Sequence, residues 1–155
     1  MKFCFALLGT LAVFTASLCL AAAESAPRVI KIKSGMDNTM KFDVSSITAA
    51  PGETIKIVLT NVATLPKEVM GHNWVLLTAG TDPVVFAAAA TGDAANGYIS
   101  AKLKDKVVAA IRLLGPNEVG EVTFKVPAAP GDYPFLCSFP AHCVVGMKGM
   151  LTVKK

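Results

Sequence analysis

Alternation of apolar and polar side chains is the plainest signal in this chain. Thr54 to Asn61 (TIKIVLTN) puts Ile55, Ile57 and Leu59 on one side of the backbone, the two-residue period of a half-buried strand. Glu121–Val126 does the same with Val122, Phe124 and Val126. Similar runs are Val29–Ile32, Trp74–Leu77, Val107–Leu113, Tyr133–Cys137 and Met150–Val153. Pro51-Gly52, Pro116-Asn117 and Pro130-Gly131 stand between runs as turn signals. Seven or eight short strands with such punctuation predict an all-β, antiparallel Greek-key β-sandwich. The stretch from Asp82 to Lys104 breaks the pattern. Four consecutive alanines, Ala87–Ala90, follow an Asp-Pro pair suited to an N-cap and first helical residue, and Gly92 and Gly97 limit the helix. A short helical flap on one side of the sandwich is expected. No repeat, linker or second domain is visible.

The N-terminus follows a different rule. Lys2 precedes an uncharged run from Phe3 to Leu20, and Ala21-Ala22-Ala23 follows, the pattern of a secretory signal cleaved after Ala23. Residues 24–155 are then one mature domain, a reasonable size for a chain of 155 residues with 53% hydrophobic content. Cys19 near the end of the run raises a rival, a lipid-anchored form, although Leu18 stands where such signals carry Gly, Ala or Ser. The expected compartment is the periplasm. Basic residues are scattered over a mild net charge of +4, which gives no footprint for nucleic acid or a membrane surface. No transmembrane segment is expected in the mature chain.

Cysteine and histidine positions carry the chemistry. Of four cysteines, Cys4 and Cys19 leave with the signal, so an oxidising compartment receives only Cys137 and Cys143. A disulfide across so small a loop would stabilise little, and a metal explains at least one thiol better. The chain has two histidines, His72 and His142. In "CSFPAHCVVGM" (Cys137–Met147), a thiol, an imidazole and a thioether succeed one another with four residues between each. Two imidazoles, one thiolate and a weak axial thioether form the ligand set of a blue-copper electron-transfer centre.

The stretches "LPKEVMGHNWVL" (Leu65–Leu76), "CSFPAH" (Cys137–His142) and "MKGMLTV" (Met147–Val153) resemble the azurins, small blue-copper proteins of the cupredoxin family. The resemblance extends over nearly the whole mature chain. It implies a cupredoxin-like sandwich holding one copper ion that cycles between Cu(I) and Cu(II). His72, Cys137 and His142 would be equatorial ligands and Met147 the axial one, with the Gly71 carbonyl in weak contact from the opposite side. Asn73 would tie the ligand loops together, and the backbone N–H groups of Asn73 and Phe139 would donate to the Cys137 sulfur. Three departures stand out. Four residues separate His142 from Met147, as in the auracyanins, where azurins have three. Val29 and Gly52 fall where azurins have a disulfide. Asn61 and Ala110 replace two histidines found in some azurins.

The function expected is a shuttle of single electrons between redox partners such as cytochromes, not an enzyme. A copper storage or delivery protein is the alternative. A structural zinc site would waste the methionine, a Cys-His hydrolase would need an accessible thiolate and an orienting third group, and a copper enzyme would need further histidines. An exposed apolar patch is expected around the His142 edge, from Leu65, Val69, Met70, Met40, Val144 and Val145. Cys143 is expected to point away from the metal, either packed as a small apolar residue or as a thiol able to link two otherwise monomeric copies.

Overall fold

The computed structural model describes residues 26–155; the expected signal, residues 1–23, and Cys19 lie outside the described residues. Among these residues eight strands form two sheets. β1 (Arg28–Ser34), β3 (Thr54–Asn61) and β6 (Val119–Lys125) make one sheet in the order β1-β3-β6. The other runs β2 (Ser46–Ala49), β8 (Lys148–Val153), β7 (Gly131–Leu136), β4 (His72–Leu77) and β5 (Val107–Leu114). Its two halves meet where β4 and β7 pair antiparallel, Val75 opposite Leu136. The expected sandwich is therefore present, but not as a purely antiparallel one: β1 pairs β3 and β2 pairs β8 in parallel. Alternation fixes which face a residue takes, whereas both directions of pairing serve that face equally, so strand direction was not written in it.

The core lies between the sheets. Ile32 from β1 and Ile55, Ile57 and Leu59 from β3 meet Trp74, Leu76, Ile111, Phe135 and Leu151 from the larger sheet. Burial along β3 alternates residue by residue, as its sequence does. In β4 all six residues are buried, because its other face is also covered. There α2 (Pro83–Ala90) lays Phe86 and Ala87 over Val75, Leu77 and Leu136. Asp82 caps α2, its Oδ1 accepting from the Val84 and Val85 N–H groups at 2.7 and 3.2 Å, with Pro83 at the first helical position. The flap continues as 3₁₀ turns at Ala94–Asn96 and Ala101–Lys106. Among the described residues no helix is long and apolar enough to cross a membrane.

This topology places the chemistry at one pole. β4 begins with His72 where the antiparallel β7 ends, one residue before Cys137, and β8 starts at the same end, one residue after Met147. The two strands that carry the site are central in the larger sheet and cannot shift without breaking the core.

Candidate metal centre

His72, Cys137 and His142 come together from two loops, their ligand atoms all within 4.8 Å of one another. His72 enters from α1 (Lys67–Met70), a single turn that hands over through Gly71 to the first residue of β4. The other two come from the loop joining β7 to β8. That loop is closed at its base, where the Cys137 N–H donates to the Met147 carbonyl at 3.0 Å, and at its middle, where the Met147 N–H donates to the His142 carbonyl at 2.9 Å. Ala141, just before His142, and Gly146, just before Met147, have positive backbone φ, +71° and +106°.

In both histidines Nδ1 faces the thiol, 3.9 Å from the Cys137 sulfur for His72 and 3.5 Å for His142. The rings lie 4.9 Å apart, tilted by 45°. All of this is dry: His72, Cys137 and Met147 are 0% exposed and His142 1%. Burial sets the electrostatics. Desolvation pushes both imidazoles down to about 4 from an ordinary 6.5, with the neighbouring His142 adding to the effect on His72. Desolvation also drives the Cys137 thiol up to about 12, while the backbone N–H groups of Asn73 and Phe139 on its sulfur pull the other way. Two neutral imidazoles and a buried thiol aimed at one point fit a soft cation, whose charge would turn the thiol into a thiolate.

The surrounding contacts hold this geometry. Asn73 Oδ1 accepts from the Ser138 N–H at 2.8 Å, and its Nδ2 donates to Ser138 Oγ at 2.8 Å and to the Gly97 carbonyl at 2.9 Å. The residue after His72 is thereby tied to the residue after Cys137. Gly35, which the sequence did not single out, has φ +73°, and a Cβ there would sit 2.9 Å from His72 Nε2. It leaves room for the imidazole. No local pattern marks it, since the contact spans the sandwich.

A profile of copper-binding proteins of the plastocyanin/azurin family matches residues 29–154. The chain belongs to that family. It is 39% identical over 130 residues to an azurin of Pseudomonas fluorescens biotype A, covering 80% of this chain and 98% of the relative. Against auracyanin-B of Chloroflexus aurantiacus it is 31% identical over 135 residues, 84% of this chain and 54% of the relative. Among solved structures, a dithionite-reduced auracyanin from Roseiflexus castenholzii superposes with a TM-score of 0.73 at 32% identity, covering 84% of this chain and all of that one.

Within this plastocyanin/azurin frame, Asn61 is fully buried, its Oδ1 accepting from the Ala63 N–H and its Nδ2 donating to the Leu114 carbonyl at 2.9 and 3.1 Å. Cys143 takes the first of its two expected settings. Its side chain is 0% exposed, packed with Phe86, Ala87 and Leu136 beneath the flap, and its thiol donates to the Pro83 carbonyl at 3.4 Å. It packs as a small apolar residue. The expected patch is changed. Leu65, Val69, Val144 and Val145 are exposed, but Met70 and His142 are buried and Met40 is half-buried against the core.

Proposed function

We propose that His72, Cys137, His142 and Met147 hold a single copper ion and that this protein carries single electrons between larger redox proteins. The observation that carries the reading is the convergence of two Nδ1 atoms and one thiol sulfur in a dry pole built on central strands. Copper held there supplies the one-electron Cu(I)/Cu(II) couple. The protein contributes rigidity: Asn73 and the closed loop keep the donors in one arrangement for both charge states, so little reorganises on electron transfer. The N–H groups of Asn73 and Phe139 stabilise negative charge on the Cys137 sulfur. The Gly71 carbonyl, one residue after α1, would be a further weak contact.

Burial of the donors favours a carrier over an enzyme, since it leaves no side from which a substrate can reach them. It also argues against storage or delivery, which need ligands that a partner can displace. Leu65, Val69, Val144 and Val145 give the same pole an apolar surface where a redox partner such as a cytochrome can approach. Export to the periplasm, directed by residues 1–23, completes the reading. The test is the visible and EPR spectra of the copper-loaded protein beside Cys137→Ser. A strong thiolate-to-copper band that vanishes in the variant supports the assignment; a band that survives it overturns it.

A further inference from the structure

Groups that fix both ligand loops reach a single turn of the flap. Gly97 and Tyr98 are consecutive residues with left-handed backbones, φ +62° and +60°. Glycine adopts that conformation freely, whereas a tyrosine does so under strain. The turn is closed by the Gly97 N–H donating to the Ala94 carbonyl and the Tyr98 N–H to the Asp93 carbonyl, each at 3.0 Å. Its own carbonyls face the metal pole. Gly97 O accepts from Asn73 Nδ2, and Tyr98 O accepts from Ser138 Oγ. The Tyr98 ring then meets Phe139 edge-on, centroids 5.0 Å apart at 69°, and Phe139 in turn lies 4.7 Å from the His142 ring.

One strained turn thus touches the residue after His72, the residue after Cys137 and, through Phe139, the imidazole of His142. Strain of this kind persists only where the surroundings over-determine it. A glycine would fit the turn without backbone strain, so what the tyrosine adds is its ring. Tyr98 and Phe139 also wall a shallow cleft of about 220 Å³ with Lys67, Glu68, Ala94 and Leu113. On that side the Tyr98 ring is the aromatic side chain in contact with Phe139.

We infer that Tyr98 is a positioning residue for the metal centre: the left-handed turn presses its ring on Phe139 and so sets the orientation of the His142 imidazole. The inference deepens the copper reading and rests on it for its consequence, while the Phe139–His142 geometry can be measured without metal.

Tyr98→Gly and Tyr98→Phe test it. In the copper-free protein, nuclear Overhauser contacts between Phe139 and His142 are expected to be retained in Tyr98→Phe and lost or weakened in Tyr98→Gly, although glycine suits the turn. In the loaded protein, Tyr98→Gly is expected to bind copper roughly tenfold more weakly, with an altered Cu(II) EPR spectrum, and Tyr98→Phe to match the parent. A merely structural role would lower the denaturation midpoint and leave contacts, affinity and spectrum as they are; that result in Tyr98→Gly overturns the inference. Equal losses in Tyr98→Phe overturn it too, since they would assign the effect to the hydroxyl. If Tyr98→Gly does not fold, Tyr98→Leu carries the same comparison with the same outcomes. If the parent takes up no copper, the copper reading fails and the copper-free contacts still decide the role of Tyr98.

Discussion

Neighbouring side chains in His142-Cys143 part company, the imidazole towards Cys137 and the thiol under the flap beside Phe86 and Leu136. Adjacent residues therefore serve different parts of the molecule, one the site and one the packing that supports it. Met147 combines the two roles. Its backbone closes the ligand loop through both Cys137 and His142, and its buried side chain belongs to the main core. Because the backbone contacts do not depend on the thioether, Met147→Leu should keep the loop, bind copper and retain the visible band. If its thioether is a soft ligand as proposed, the loss should raise the reduction potential. Measured copper stoichiometry and potential check this; loss of copper binding in Met147→Leu would contradict it. That His142 and Cys137 come together was legible from their spacing to Met147 and the scarcity of histidine. Gly35 and Tyr98 were not, because what matters about each is a contact with a residue distant in sequence and a backbone angle that residue type alone does not reveal.

The flap is an element with one large anchor. Phe86 is the biggest side chain it places over the outer face of β4 and β7, and it is fully buried there. Phe86→Ala should cost about 3–5 kcal/mol by denaturant unfolding of the copper-free protein. A loss below about 1 kcal/mol would mean that the flap is not part of the cooperative fold. Strands such as β3 were legible because one face is core and the other solvent, so composition alternates with burial. The edge strand β2, Ser46–Ala49, was not read: it is four residues long with only Ile47 and Ala49 facing inward. The one-turn helix α1 was missed for a related reason, since Lys67–Met70 is too short to show a helical period and is held by the Val69 and Met70 N–H groups donating to the Pro66 carbonyl.

Across the whole molecule, the donor set limits the stability of the metal-free protein from both sides. His72 and His142 titrate at about 4 in the fold against an ordinary 6.5. Between those values the unfolded chain binds protons that the fold refuses, so stability falls as pH drops from 6.5 towards 4. Cys137 titrates at about 12 against an ordinary 9.0. Above pH 9 the unfolded chain releases a proton that the fold retains, and stability falls again as pH rises. The copper-free denaturation midpoint should therefore be highest between about pH 6.5 and 9; a midpoint still rising below pH 6 would contradict the burial of neutral imidazoles. Bound copper should remove the alkaline fall, because it takes the place of the Cys137 proton that the fold otherwise retains, while the acid fall should remain, since the neutral imidazoles hold no proton for it to displace. The same dry, preset arrangement that makes the donors costly without metal is what suits them to electron transfer. Voltammetry of the copper-loaded protein tests this most directly. One reversible one-electron wave is expected, persisting over repeated cycles with copper retained in both states. Copper bound without a reversible wave, or released on reduction, would contradict it.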